Sequence, residues 1–372
     1  MLVGVPKEIK AQEYRVGLTP GAVREYAAAG HRLLVETGAG SGIGAGDDDY
    51  RKAGAAIAAT AQEIFKTAEM IVKVKEPQPV EWRQLHEGQI LFTYLHLAPD
   101  PEQAKGLMQS GCTAIAYETV TDDHGGLPLL APMSEVAGRL SIEAAGAALK
   151  RHAGGRGLLL GGVPGVTPAK VVVIGGGVVG TNAARMAAGV GAEVSILDRS
   201  LPRLRALDDM FLGRVRTRYS SIEAIEDEVL SADVVIGAVL VPGASAPKLV
   251  SRAMLSKMKR GSVLVDVAID QGGCFETSHA TTHEKPTYEV DGVVHYCVAN
   301  MPGAVPLTSS NALNNATMPF GLALAKKGFA AVLDNPHLRA GLNVHRGRLT
   351  HKAVAESLNL PFSAETEASR AA

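Results

Sequence analysis

Residues 170–198 read KVVVIGGGVVGTNAARMAAGVGAEVSILD, and this stretch decides the fold. Four apolar β-formers at 171–174 predict a buried parallel strand. Gly175, Gly177 and Gly180 follow in G-x-G-x-x-G spacing. A small-residue helix comes next, then a second strand closed by Asp198. Gly175 permits a tight turn off the strand, Gly177 lets a pyrophosphate approach the backbone, and Gly180 lets helix and strand pack closely. The unpaired N–H groups at the helix start and the helix dipole both favour phosphate. Asp198 lies 23 positions after Gly175, near the spacing of about 20 for an acid that binds the ribose hydroxyls. That carboxylate repels a 2′-phosphate, so NAD is expected over NADP. Arg199 and Arg203 are the opposing signal, because an arginine can accommodate that phosphate.

The 372 residues are enough for two domains. A net charge of −1 gives no support for a nucleic-acid or membrane-surface partner. Three cysteines, Cys112, Cys274 and Cys297, have no metal-ligand spacing and suit a reducing, cytoplasmic location. The opening MLVGVPKEIK does not read as a signal peptide, and no apolar run is long enough for a transmembrane helix.

Strand–helix alternation along the chain predicts an α/β protein with two Rossmann-like domains, each a doubly wound parallel sheet. Residues 1–132 form the first part of a substrate domain and 133–303 an NAD-binding domain. Residues 304–372 return to complete the first, which is therefore discontinuous. Thr19-Pro20 predicts a capped helix start, with Arg15 in the loop before it. The glycine-rich 38–50 with three aspartates reads as a flexible surface loop, and 48–65 as helical. EMIVKVKEP at 69–77 reads as a strand with Lys73 and Lys75 on one face. GQILFTYLHLA at 88–98 reads as a strand with His96 at its end. Ser134 is the expected cap of a long helix. Further strands are expected to end at Asp270 and near Met301. From 305 onward the pattern predicts a long helix interrupted near Pro319, more helix to about 358, no strand, and a frayed tail.

Ligands of open α/β sheets collect outside the carboxyl ends of strands. His96 and Asp270, at expected strand ends of the two domains, and Arg15 and Lys75, beside turns of the first, become candidates there. A cleft between the domains is expected to unite them. A guanidinium can grip a carboxylate through two hydrogen bonds. An imidazole exchanges protons near neutrality. A carboxylate can hold an amine. Pattern alone does not separate Lys73 from Lys75. His279 and His283 have metal-like i, i+4 spacing only if helical, and ETSHATTHEKP reads as loop, so no metal is expected.

Four stretches resemble bacterial alanine dehydrogenases, in order along the chain: VPKEIKAQEYRVGLTPGAV, the 170–198 core, VDVAIDQGGCFET and VANMPGAVPLTSSNALNNAT. The resemblance implies NAD-dependent reversible oxidative deamination of L-alanine to pyruvate and ammonia through iminopyruvate. The alternative within the wider family is the nucleotide-binding subunit of a proton-pumping transhydrogenase; YLHLA, with its histidine, favours the dehydrogenase. By resemblance, Arg15 and Lys75 bind the substrate, His96 is the general acid/base and Asp270 its partner near the amine. Ser134, Val178, Val179, Asp198, Arg203 and Ser220 would contact NAD. Val239, Leu240, Val267, Ala268, Ile269, Val298, Ala299, Asn300 and Met301 would line the nucleotide cleft. His279 stands where the family has a basic residue, often arginine. A homohexamer is implied. The late helix carries Ala323 and Lys327, without the ligand pair that metal-binding members of the family would require.

Overall fold

A computed structural model describes residues 1–239 and 246–364. Leu240 and the tail after 364 lie outside the described residues. The chain divides into two units, one of residues 1–133 with 305–372 and one of 134–304.

The first unit begins with β1 (Leu2–Val5), β2 (Arg32–Glu36), β3 (Ala55–Ala58), β4 (Met70–Val72), β5 (Ile90–Thr93) and β6 (Thr113–Ala116). These six are parallel and lie in the order β3-β2-β1-β4-β5-β6, the doubly wound arrangement. Thr19 caps the helix Pro20–Ala28 by accepting from the Ala22 N–H, as its Thr-Pro pair predicts.

The second unit carries β7 (Lys170–Ile174), β8 (Glu193–Asp198), β9 (Arg216–Tyr219), β10 (Val234–Gly237), β11 (Val263–Asp266), β12 (Thr287–Val290) and β13 (Val293–Tyr296). Its sheet runs β12-β13-β11-β10-β7-β8-β9. Only β12 is antiparallel. Val171, Val172, Val173 and Ile174 are fully buried because helices cover both faces of a parallel sheet. Each such side chain contributes about 1.5–3 kcal/mol of burial. Ser200, Ser221 and Ser251 cap the helices that follow β8, β9 and β10.

The return segment adds β14 (Leu342–His345), antiparallel to β6, and β15 (Arg348–Leu349). The expectation of no strand after residue 304 is corrected. These strands are too short for periodicity to register, and β6 supplies the ladder that defines them.

Other expectations change for local reasons. The 48–65 stretch is not one helix: Gly54, with φ of 104°, ends Asp47–Ala53, β3 follows, and Thr60 caps Ala61–Thr67. The glycine-rich segment before it is structured, because the Asp47 carboxylate accepts from Thr37 Oγ1 and the Gly38 N–H at 2.7 and 2.8 Å. The long helix is Ala131–Ala148, so Ser134 lies inside it and is not its cap. Helix Pro306–Lys327 runs through Pro319 unbroken. An interior proline costs about 3 kcal/mol, and tertiary packing offsets it. Asn314 accepts from the Thr19 N–H at 2.6 Å and donates to the Gly17 carbonyl at 2.7 Å. Gly321 lies so close to the Tyr26 ring that a Cβ would stand 1.9 Å from its hydroxyl. Among the described residues, no helix is long and apolar enough to cross a membrane.

Candidate active site

Arg15, Lys75 and His96 all belong to the first unit. They sit on loops following β1, β4 and β5, which are neighbours in the sheet and parallel, so the three loops leave from one edge. Gly17 presses its backbone on the end of β4, where a Cβ would lie 2.4 Å from the Val72 carbonyl oxygen. That approach brings the Arg15 loop against the strand that leads to Lys75.

Arg15 is buried. Its Nε and Nη2 donate to the two oxygens of Glu13, each at 2.6 Å, and Nη1 lies 3.0 Å from the Met133 sulfur. Burial works against the guanidinium charge, but the Glu13 carboxylate outweighs it and holds the group's pKa above its ordinary value.

The strand before Lys75 stops at Val72, so the two lysines do not share a strand face as expected. Lys73 is fully buried between Glu8 and Glu81, at 3.0 and 2.7 Å. Glu8 Oε1 also accepts the N–H of Val74 at 2.6 Å and of Lys75 at 3.4 Å. Lys73 is therefore an internal strut that fixes the turn presenting Lys75. The Lys75 ammonium lies 4.0 Å from Glu76.

His96 does not end a strand either, since β5 stops at Thr93. It adopts φ of 48°, a left-handed conformation costing about 1–2 kcal/mol for a non-glycine residue. Its N–H and that of Leu95 donate to the Glu118 carboxylate, at 2.6 and 3.2 Å. The half-exposed ring stacks on Tyr94 with centroids 5.7 Å apart, and Nδ1 is 3.9 Å from Glu118 Oε1. Tyr94 is buried and donates to the Leu129 carbonyl at 2.6 Å. Burial drives its phenol pKa upward while the Arg15 charge opposes that rise.

The nucleotide candidates occupy the second unit. Gly175 has φ of 105°, and a Cβ there would stand 2.6 Å from the Ala238 oxygen. A Cβ at Gly180 would lie 1.8 Å from the Gly175 oxygen, whereas one at Gly177 meets nothing within 4 Å. Gly177 is also the N-terminal cap of helix Val178–Gly189. The three glycines thus differ as a turn, an open approach and a close packing. Val178 is exposed and Val179 half-buried at the helix start. Asp198 ends β8, accepting from the Gly176 N–H at 2.7 Å and the Ser200 N–H at 2.8 Å. Arg203 turns inward, donating to the Gly176 carbonyl and to Thr181 Oγ1, each at 2.6 Å. The buried Ser220 donates its N–H to the Asp198 carbonyl.

Val239 follows β10. Val267, Ala268 and Ile269 follow β11. Val298, Ala299, Asn300 and Met301 follow β13. All these strands are parallel to β7, so the residues gather at the carboxyl edge where the glycine turn lies. Asp270 is exposed in the single turn Ile269–Gln271, because β11 stops at Asp266 rather than at Asp270. Nor does β13 reach Met301; it stops at Tyr296. His279 stacks on Tyr288 at 3.6 Å, and His279 and His283 both lie in irregular backbone. Among the described residues, no group of three His, Cys, Asp or Glu side chains is arranged to hold a metal ion.

Sequence reading missed Glu8, Glu13, Glu118 and Asp266, the carboxylates beneath the candidate residues. Glu13, two positions from Arg15, is the one that charge pairing could have indicated.

Two family models together match most of the chain, and the second runs past the end of the second unit into the return segment. The family model described as alanine dehydrogenase/PNT, N-terminal domain, matches residues 4–137, and the corresponding C-terminal model matches 141–352. The chain is 60% identical to an alanine dehydrogenase of Halomonas elongata over 97% of its length and 98% of the relative's. It is 55% identical to that of Bacillus subtilis, over 97% and 96%. A solved L-alanine dehydrogenase superposes with a TM-score of 0.94 at 54% identity, covering 96% of this chain and 99% of that one. A transhydrogenase structure from Sinorhizobium meliloti reaches 0.81 at 27% identity, over 95% and 100%. The chain belongs to the alanine dehydrogenase/PNT family.

Proposed function

We propose that this protein is a cytoplasmic alanine dehydrogenase, a homohexamer that interconverts L-alanine with pyruvate and ammonia using NAD. The observation that carries the reading is the grouping of Arg15, Lys75 and His96 on neighbouring loops of one sheet edge. That is the cation pair and proton carrier an amino acid needs. The transhydrogenase reading spans both units as well but is the weaker likeness, at 27% identity against 54%.

The glycine turn suits a dinucleotide, because the open space at Gly177 and the free helix start beyond it are what a pyrophosphate requires. The Asp198 carboxylate supports NAD rather than NADP. Arg203, turned to Gly176 and Thr181, is engaged away from a 2′-phosphate. Ser134, Val178, Val179, Ser220, Val239, 267–269 and 298–301 make up the remaining nucleotide surface. When bound, the nicotinamide supplies the hydride acceptor for the alanine Cα.

Arg15 and Lys75 bind the substrate carboxylate and the oxygen of the keto acid. A thioether is a weak acceptor, so a carboxylate is the stronger partner for Arg15 Nη1 than Met133. His96 takes a proton from the water that adds to iminopyruvate, and ammonia departs to leave pyruvate. Asp270 holds the reacting nitrogen. General acid–base groups of this kind contribute typically about 10²–10⁴-fold. Replacing His96 by Ala is expected to lower alanine oxidation by at least about a hundredfold, read as NADH absorbance, with NADH binding retained. Full turnover by the variant would remove His96 from the mechanism, and NADH binding without any alanine turnover in the parent protein would favour the transhydrogenase reading.

A further inference from the structure

Asp266 ends β11 and is fully buried. Its two oxygens collect donors from both ends of the loop that follows. Oδ1 accepts the Ala268 N–H at 3.1 Å. Oδ2 accepts the N–H groups of Cys274 and Phe275 at 2.9 and 3.3 Å, and the Ser278 hydroxyl at 2.5 Å. The Cys274 thiol faces Oδ1 at 3.6 Å. Gly273, at φ of 73°, is drawn so close that a Cβ would stand 2.6 Å from Oδ2. The outer side is braced by Lys248, whose ammonium donates to the carbonyls of Gly272 and Gly273. At the crest of this closed loop sits the turn Ile269–Gln271, with Asp270 exposed on it.

Burying a carboxylate is costly unless its acceptors are filled. Closing a surface loop does not call for that cost, whereas fixing the crest does, because a reacting group displaced by about 1 Å can lose about a hundredfold in rate. The Gly273 N–H also donates to the Ala268 carbonyl at 3.1 Å, and the Asp266 side chain adds ties from the start of the loop to Cys274, Phe275 and Ser278 at and beyond its end. Burial raises its pKa, and the donors from Ser278, Phe275 and Cys274 offset part of that rise.

We propose that Asp266 is a positioning residue: it clamps residues 267–275 so that Asp270 is presented in one orientation. The inference rests on the reading of Asp270 as the group that holds the substrate nitrogen.

A double-mutant cycle on the full chain tests it, with kcat and KM for L-alanine and NAD measured for Asp266→Asn, Asp270→Asn and the pair. Asparagine at 266 keeps the shape but brings an NH₂ against N–H donors. Asp266→Asn is expected to lower kcat about tenfold or more while KM for alanine moves less than about threefold. The double variant is expected to be no slower than Asp270→Asn alone, within about threefold, because the two act as a unit. Folded Asp266→Asn with parental kcat overturns the proposal. So does a double variant whose loss equals the product of the single losses, the signature of a merely structural role. Should Asp266→Asn not fold, Ser278→Ala and Gly273→Ala loosen and crowd the same clamp, and each is read against Asp270→Asn by the same criterion. Full turnover by Asp270→Asn sinks the reading of Asp270 and the clamp's purpose together. An impaired Asp270→Asn with additive losses sinks only the clamp.

Discussion

The two units order their first six parallel strands identically, with β1 and β7 at the centre, yet the turns after those central strands are built in opposite ways. After β7 the chain bends within a few residues and offers what is absent: a missing Cβ at Gly177 and uncapped N–H groups of a helix. After β1 it wanders through a longer loop and offers what is present, a guanidinium braced by a buried carboxylate. Under the proposed function, one topology would serve a ligand held by backbone and a ligand held by side chains. Backbone binding asks for space, while side-chain binding asks for charges that are costly to bury and so need internal partners. Glu13 beneath Arg15, Glu8 and Glu81 around Lys73, and Glu118 beneath His96 are those partners.

This contrast can be broken at either turn. The largest expected effect comes from Arg15→Lys. An ammonium cannot grip Glu13 and a substrate carboxylate in the guanidinium geometry, so kcat/KM for alanine should fall at least about a hundredfold, or ~2.7 kcal/mol, with NADH affinity unchanged. Weakened NADH binding would mean that Arg15 does not serve the substrate alone. Next is Gly177→Val, where the side chain enters open space. NADH affinity, followed by fluorescence, should weaken by about ten- to a hundredfold with the melting temperature unchanged. Gly180→Ala should instead lower the melting temperature, because its Cβ has nowhere to go. Equal behaviour of the two glycine variants would contradict the separate roles assigned to them. The smallest effect is pH dependence in the first unit. Burial first, and the Arg346 charge second, push the His345 pKa down to about 4. The unfolded histidine keeps about 6.5, so folding favours the neutral ring. The stability it contributes is present above pH 6.5 and is lost as pH falls from 6.5 through about 4. Thermal melts across that interval should show a flatter pH dependence for His345→Gln, at roughly 2–4 °C per kcal/mol.

The glycine turn's structure was legible because its parts are local: strand, glycines, helix and Asp198 lie in one run of 29 residues. The supports of the Lys75 and His96 loops were not, since Glu8 and Lys73 are 65 positions apart and His96 and Glu118 are 22 apart. Nothing in local periodicity pairs them. Strand ends were misread for a related reason. The apolar runs reaching toward His96 and Asp270 continue past the last ladder bond, so hydrophobicity extends each strand while the turn has already begun. β3 and β14 escaped because four residues between a helix cap and a glycine carry too little pattern. The proline inside Pro306–Lys327 was read as a break because propensity is local, while the Asn314 and Gly321 contacts that keep the helix whole reach back to residues 17–26.

The antiparallel pairing of β14 with β6 has a consequence for biosynthesis. Residues 134–304 are contiguous and can finish folding as they leave the ribosome. β6 emerges early, with its outer N–H and C=O groups unpaired, and must wait until residue 345 has been translated before its partner exists. Throughout that interval the nascent chain carries an open sheet edge, the kind of surface that recruits stray strands. Chaperone dependence during expression should therefore track the delay between β6 and β14.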